Sequence, residues 1–351
     1  MVFNYPIILT SLFFLCFIFS LLINHILLRF AQTLGIRNKD EQQTRWNSNA
    51  KPALGGISFY LVFLFAFIFT LLLPHSNFGF NIQIVGILIS ATLAFLMGLA
   101  DDAFNTQPLL KFLTQVICAL IIIFSGHSVV IFQNQFINYL ITVFWVVGIM
   151  NSINMLDNMD GITTIVAIVI GLFIVALNVS LYNTDSYSIT LNLALLGALV
   201  GFLVYNFHPS KMFMGDTGSQ FLGLFLAVMG IDNCWNSPKP QLIGGFPLIN
   251  IFLVILVFLI PLTDTITVVI NRLRSGKSPF IGGKDHTTHH LFFKGITEKR
   301  IAILFFLISA IGAIFAYLLV FRFSYPLFYI SISYIILVFL SLYINTITHK
   351  K

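Results

Sequence analysis

The acidic residues of this chain are few, and their neighbours are of the kind that handle phosphate and divalent metal. Asp101 and Asp102 stand side by side in Gly98-Leu-Ala-Asp101-Asp102-Ala-Phe-Asn-Thr-Gln-Pro108-Leu-Leu-Lys111. Adjacent carboxylates repel unless a cation lies beside them, so the pair points to a metal or a phosphate-bound metal. Pro108 suits the first turn of a helix, which puts Lys111 one turn inside it, either as an ion-pair partner of these acids or as a phosphate ligand. Asn151, Asn154, Asp157 and Asp160 recur in steps of three, a spacing that places them along one helical face, with Gly161 available to end the helix. Such a stripe either joins helices through hydrogen bonds or supplies oxygen ligands to a hard cation and polar contacts to a nucleotide.

Two further segments extend the pattern. His208-Pro-Ser-Lys211-Met-Phe-Met-Gly215-Asp216-Thr217-Gly218-Ser219 runs directly into an apolar stretch. This is helix-start chemistry, suited to an N-cap and to phosphate at the positive end of a helix. It has neither the Walker A spacing nor a dinucleotide-binding glycine fingerprint. Arg272, Arg274 and Lys277 precede Lys284-Asp285-His286-Thr-Thr-His289-His290-Leu291. Three histidines this close suggest zinc, but no cysteine stands nearby and the aspartates elsewhere suit magnesium better. The histidines and lysines would hold phosphate oxygens, with anionic lipid headgroups as the competing partner. Asp264, in Pro261-Leu-Thr-Asp264, is a plausible further member of the group.

The elements that must position these residues are membrane helices. Of 351 residues, 58% are hydrophobic and only 9% charged, and the mean hydropathy is +0.97. Soluble domains are roughly a quarter charged, so a water-soluble globule is excluded and the expected fold is an all-α polytopic membrane protein. A helical crossing takes about 20 apolar residues. Such windows predict eleven spans, near residues 6–28, 55–73, 82–100, 109–126, 137–153, 162–182, 189–206, 219–231, 248–271, 301–321 and 327–346. Sixteen of the 18 lysines and arginines then fall on one side, which the positive-inside rule makes cytoplasmic. The amino terminus is outside and the carboxyl terminus inside. Cytoplasmic loops lie near 29–54, 101–108, 154–161, 207–218 and 272–300, within a single integral membrane domain. The first apolar run has no basic residue before it and is expected to remain as a span. Asp101, Asp102, Asp157, Asp160, Asp216, Asp264 and Asp285 gather at this face, whereas Asp185 and Asp232 lie in outer loops. The three cysteines, Cys16, Cys118 and Cys234, are far apart and without ligand spacing, hence packing residues. The net charge of +6 records topology rather than an affinity for nucleic acid.

Taken in order, Asp101-Asp102, Asn154-Met-Leu-Asp157-Asn-Met-Asp160-Gly161, Met214-Gly215-Asp216-Thr217-Gly218-Ser219 and His286-Thr-Thr-His289-His290-Leu291 resemble the polyprenyl-phosphate N-acetylhexosamine-1-phosphate transferase family. Lys51-Pro52-Ala-Leu-Gly55-Gly56 looks like that family's entry to its second span. The resemblance is closer to the branch that begins O-antigen, enterobacterial common antigen and teichoic-acid linkers than to the phospho-MurNAc-pentapeptide translocases. Eleven spans and the His-His-Leu ending favour that branch over ten spans and a triple histidine. The spacing departs from His-x-His-His, since two threonines separate His286 from His289.

The resemblance implies transfer of a sugar 1-phosphate, GlcNAc-1-phosphate by default, from a UDP-sugar to undecaprenyl phosphate, with release of UMP. It implies Mg2+, with Mn2+ as a substitute, and a site on the cytoplasmic face of the bacterial inner membrane. In residue terms, Asp216 is the expected metal ligand, joined by Asp101, while Asp101 or Asp102 positions or deprotonates the lipid phosphate. Lys111, His289 and His290 are expected to bind phosphate, with His286 and Asp264 as further substrate contacts. Asn154, Asp157 and Asp160 are expected to contact the nucleotide or arrange the metal. A homodimer is expected from the resemblance alone. The rival class, a secondary transporter, would carry its acids near mid-membrane on broken helices. A lipid-phosphate phosphatase would share the carboxylates without needing a nucleotide pocket.

Overall fold

The computed structural model describes residues 5–34, 51–72, 81–181, 187–237, 248–279 and 282–347. The sequence expectations for Asp185 and most of the first inner loop lie outside these residues. The described residues form thirteen α-helices. They are α1 (Tyr5–Leu34), α2 (Gly55–Leu72), α3 (Ile82–Phe104), α4 (Pro108–Phe124), α5 (Gln135–Leu156), α6 (Ile162–Ser180), α7 (Tyr187–Asn206), α8 (Gly215–Gly230), α9 (Leu248–Val257), α10 (Leu259–Arg274), α11 (Thr287–Phe293), α12 (Glu298–Phe321) and α13 (Tyr325–Ile347). The only β pairing among the described residues is an isolated parallel bridge between Ala53 and Phe213.

Seven of these helices, α1, α3, α5, α6, α7, α12 and α13, are long and apolar enough on their own to cross a bilayer. α2 and α4 are shorter apolar helices. Large apolar side chains such as Phe14, Leu22, Phe144, Ile314 and Leu337 are exposed, a surface that suits hydrocarbon rather than water. Each apolar window falls on helix, but among the described residues only seven single helices, or eight crossings with the bent pair α9–α10, have the length and composition of a span, and three details differ. The ninth is two helices, α9 and α10, bent by 81°. Pro261 is the cause: it lacks the N–H that would bond the Val257 carbonyl one turn back, and the ladder resumes with Leu262 N–H donating to Phe258 O at 3.0 Å. α3 runs on to Phe104, so Asp101 and Asp102 occupy its last turn rather than a loop. The 272–300 loop opens inside α10 and contains α11.

Local sequence sets the helix ends that matter for the site. Pro108 sits in the first turn of α4, and Asn105, in the left-handed region at φ 50°, ends α3 by donating its N–H to Asp101 O. α5 ends at Leu156, and Asp157 is already non-helical at ψ 52°. The helical stripe expected through Asp160 therefore stops early, and Asp160 turns off onto other partners.

α8 is the axis of the structure. Its residues from Thr217 to Gly230 are all buried, against α2, α3 and α5. Its start is held by very close backbone approach. A Cβ on Gly98 of α3 would lie 2.3 Å from Asp216 O, and one on Gly56 of α2 would lie 2.2 Å from Gly218 N. Both positions therefore require glycine. Beside them the 52–56 segment pairs with 213–214: Phe213 N–H donates to Pro52 O at 2.9 Å, and the Gly55 and Gly56 amides donate to Phe213 O and Met214 O at 3.0 Å.

Candidate active site

The first cluster is assembled from α3, α4, α5 and α8. Asp101 accepts from Lys111 Nζ at 2.7 Å through Oδ2, while its Oδ1 takes the Thr106 amide at 3.0 Å and the Thr106 hydroxyl. The same ammonium reaches Asp216 Oδ2 at 3.3 Å. Asn154 Nδ2 donates to Asp216 Oδ1 and to Ser219 Oγ, both at 2.8 Å. Asp101 is nearly closed off, with 6% of its side chain exposed, whereas Asp216 retains 27%, so the opening of the cluster is at Asp216. One lysine is thus shared by two carboxylates contributed from opposite ends of the sequence motifs.

Asp102 faces the other way. Successive helical residues lie about 100° apart, and Asp102 meets the start of α8. Its Oδ1 accepts the Asp216 amide at 3.1 Å, and its Oδ2 accepts the Thr217 amide at 2.8 Å and the Thr217 hydroxyl at 2.7 Å. A carboxylate at a helix N-terminus satisfies orphan donors and complements the dipole. Gly215 makes room for it, with φ +72° and Asp102 Oδ2 only 2.5 Å from where a Cβ would stand. Asp102 therefore fixes the backbone that presents Asp216. Beneath the cluster, Asn151 and Gln115 exchange hydrogen bonds at 2.7 and 3.3 Å, and Gln115 Nε2 donates to Gln220 Oε1 at 3.0 Å.

Asp160 lies in a second cluster, off the first. Its Oδ1 accepts from Ser210 Oγ at 2.6 Å, and its Oδ2 accepts the Ser210 amide at 2.9 Å. Lys51 Nζ lies 3.4 Å from that Oδ2 and donates to Ser210 Oγ at 2.9 Å. Burial raises the Asp160 carboxyl, but the Ser210 bonds and the Lys51 charge outweigh it and hold the group below the usual carboxylate range. Lys51 also stands 5.1 Å over the Phe213 ring. In the sequence Lys51 is only part of an entry motif; its conjunction with Phe213 and Asp160 depends on pairing across more than a hundred residues.

The histidine segment forms a third cluster. Asp264 is buried in α10, accepting from His286 Nδ1 at 2.8 Å, from the Thr287 amide at 2.9 Å and from the Thr287 hydroxyl at 2.6 Å. It thereby starts α11. Arg272 grips Asp285 with two bonds, 2.7 and 2.8 Å, and holds the Asp285 carboxyl low against the opposing effect of burial. His289 is buried, its ring 5.4 Å from that of His286, and His290 lies on α11 beside Phe293. Burial, reinforced by His286, pushes the His289 ring down to about 3, so it is neutral at pH 7. Thr288 Oγ1 donates to Asn158 Oδ1 at 2.6 Å, which ties α11 to the turn that carries Asp157.

The structure thus brings Asp101, Lys111, Asn154 and Asp216 into direct contact, with Asp102 behind them. It gives Asp160 and Asp264 partners of their own and puts Asp157 at the end of α5, between the first cluster and the turn that meets α11. These carboxylates occur at helix ends: Asp101 in the last turn of α3 and Asp216 in the first turn of α8.

Comparison with known proteins gives the same direction. Residues 84–233 match the family description "Glycosyl transferase family 4". The chain is 30% identical over 289 residues to a decaprenyl-phosphate N-acetylglucosaminephosphotransferase of Mycolicibacterium smegmatis, covering 75% of this chain and 71% of the relative. It is 27% identical over 308 residues to a probable undecaprenyl-phosphate N-acetylglucosaminyl 1-phosphate transferase of Bacillus subtilis, covering 85% and 81%. A more distant group is represented by a phospho-N-acetylmuramoyl-pentapeptide-transferase of Lactobacillus gasseri, 28% identical over 302 residues, covering 78% and 86%. With coverage of this extent and the carboxylate clusters in the matched region, the chain belongs to glycosyl transferase family 4.

Proposed function

We infer that the protein transfers an N-acetylhexosamine 1-phosphate, most simply GlcNAc-1-phosphate, from its UDP-sugar to undecaprenyl phosphate and releases UMP. The observation that carries this reading is the Lys111 ammonium set between Asp101 and Asp216 at a helix start, together with membership of a family of polyprenyl-phosphate sugar-phosphate transferases. Phosphoryl transfer needs alignment and charge compensation more than covalent chemistry. An oxygen of the lipid phosphate forms a bond to the sugar-bearing phosphorus, and the bond from that phosphorus to UMP breaks. The lipid phosphate is largely ionised at neutral pH, since its second pKa is about 6 as in phosphoserine, so direct attack requires no base and no aspartyl-phosphate intermediate.

The geometry supports the following residue roles. Lys111 keeps a third N–H for a phosphate oxygen while its charge is balanced by both acids. Asn154 orients Asp216 by donating to one of its oxygens. Asp102 presents the backbone of Asp216 and Thr217. The donor set suits a hard cation: Asp216 is partly open, Asp101 lies on the other side of the same ammonium, and all the carboxylate donors are oxygen. Asp216, with Asp101, would hold Mg2+, or Mn2+ in its place, and the ion would offset diphosphate charge. His290 and Lys111 would meet phosphate oxygens, and neutral His289 would offer hydrogen bonding without charge.

This reading carries the remaining topology with it. Eleven crossings, counting α9–α10 as one, leave the amino terminus outside, the carboxyl terminus in the cytoplasm, and the carboxylates at the inner face of the bacterial inner membrane. There a soluble UDP-sugar and a bilayer acceptor both have access. The product would begin a cell-envelope polysaccharide such as an O-antigen or a teichoic-acid linker, and the enzyme would work as a homodimer. Purified protein is to be incubated with Mg2+, undecaprenyl phosphate and a panel of UDP-sugars. UMP release that requires the lipid phosphate supports transfer. UMP or phosphate release without the acceptor, or solute uptake into vesicles without UMP, refutes it.

A further inference from the structure

The second cluster, whose Asp160 the family resemblance offers as a nucleotide or metal contact, contains an arrangement to which the proposed transfer assigns no role. His208, in the turn between α7 and α8, points a single ring nitrogen, Nδ1, at two carboxylates. It lies 3.2 Å from Asp160 Oδ2 and 3.2 Å from Glu298 Oε2, the latter from the first residue of α12. The three atoms lie within 4.8 Å of one another. One imidazole nitrogen carries at most one hydrogen, aimed along one line, so it cannot make two good hydrogen bonds to separate carboxylates. A divalent cation accepts a lone pair from the nitrogen and one from each oxygen at once. For bonds of about 2.0–2.2 Å, ligand atoms around a tetrahedral ion stand roughly 3.3–3.5 Å apart, close to the two separations seen.

We propose that His208, Asp160 and Glu298 form a second divalent-cation site, separate from Asp216, for a metal that accepts imidazole, namely Mn2+ or Zn2+. The donor set argues for this class, because nitrogen with two carboxylates suits such ions better than Mg2+. The supporting contacts are those of a built site: Ser210 fixes both oxygens of Asp160 through its amide and hydroxyl, the kind of outer-shell bonding that orients metal ligands. Asp160 and Glu298 are largely buried, while the His208 side chain is 36% exposed, so the cluster reaches the surface at His208. Lys51 is the internal competitor at 3.4 Å from the same Oδ2, and its bond to Ser210 Oγ gives it somewhere to stay when the ion takes that oxygen. The three ligands come from three separate elements, so the ion would tie the start of α12 to the turn between α5 and α6, three residues beyond Asp157. The inference is independent of the transfer activity.

The test uses the full chain in detergent, stripped with chelator and titrated with Mn2+ alone, with no nucleotide or lipid phosphate. Pulsed electron paramagnetic resonance reads the 14N modulation of a directly bound imidazole. Wild-type protein and Asp216→Asn should both show it. His208→Ala should abolish it and weaken Mn2+ binding about tenfold or more. Glu298→Gln, which keeps the ring and the shape of the side chain, should weaken binding by a similar factor while the circular dichroism of the protein stays that of wild type. Absence of 14N modulation in the wild type, its persistence in His208→Ala, or its loss in Asp216→Asn would each overturn the proposal.

Discussion

The two ends of the α8 axis carry one aspartate each, and they are built on opposite principles. Asp216 stands in the first turn of α8, and Asp232 in the π-helical turn Ile231–Trp235 that continues it. The sixteen residue steps from one to the other span about 24 Å. At the Asp216 end one lysine serves two acids, a third acid holds the helix amides, and a neutral amide completes the set. At the Asp232 end each carboxylate oxygen has its own partner, His127 Nδ1 at 2.9 Å and Tyr187 OH at 3.0 Å. Around it neutral groups close among themselves: Asn178 Nδ2 with Asn233 Oδ1 at 2.7 Å, and Asn236 Nδ2 with Ser128 O at 2.7 Å. A carboxylate closed among its own donors needs no ligand, whereas among the described residues the Asp216 end sets two carboxylates on one shared lysine, an arrangement that a bound cation would complete. The contrast separates a site from a polar joint more sharply than the presence of acids does.

Exchanging the two acids for amides is the largest test. Asp216→Asn should lower UMP release on the order of a thousandfold, as loss of a charge-stabilising group does, while detergent-solubilised protein keeps its helical circular dichroism. Asp232→Asn should leave turnover within about twofold, since it acts roughly 24 Å along the helix from Asp216, and its loss should fall on stability instead. Equal losses would erase the distinction between the ends. Lys111→Met comes next, with turnover down about a hundredfold. If instead turnover were unchanged, the shared ammonium would be a structural ion pair only. Asp102→Asn should act mainly on folding. Losing the charge that caps α8 costs about 1–2 kcal/mol, read as a lowered thermal midpoint, and turnover should fall about tenfold because Asp216 loses its fixed backbone.

The sequence disclosed these ends unequally. Long apolar windows locate the helices because a bilayer demands them, and the break in the ninth was latent in Pro261, which an apolar run disguises. Asp101 and Asp102 look alike as neighbours, yet a helix turns them onto different partners, and only the contact of α3 with α8 says which meets Lys111 and which meets an amide. Asp160 fits the period of three with Asn151 and Asn154, but α5 ends at Leu156, so the period describes a helix that is not there. Ser210 and Glu298 carry no signal by type alone, and Thr217 and Lys51 carry one only as members of short motifs. Their parts come from pairings such as Gly55 with Phe213, which join segments more than a hundred residues apart. At the far end, His127 and Asp232 share no motif, and nothing in either neighbourhood announces the other.

The smallest expected effect probes that quiet end. Burial alone would lower the His127 ring, but its bond to Asp232, the charge of that carboxylate and the Gln83 carbonyl outweigh burial and raise it above its ordinary value. A raised value means that the folded protein binds a proton the unfolded chain gives up sooner. The pair therefore contributes its full stability below about pH 6.5, the unfolded value, and loses it as pH rises through the folded value. Wild-type thermal midpoints should decline over that alkaline window, and His127→Gln, which keeps a donor toward Asp232 but cannot titrate, should flatten the decline. The difference should amount to about 2 °C, the scale of a partly exposed ion pair in a chain of this size. UMP release at pH 7 should be the same in both proteins to within about twofold. A large loss of turnover would mean that the far end is coupled to Asp216 through α8, and the contrast between a matched joint and a charge-poised site would have to give way to a single system spanning the helix.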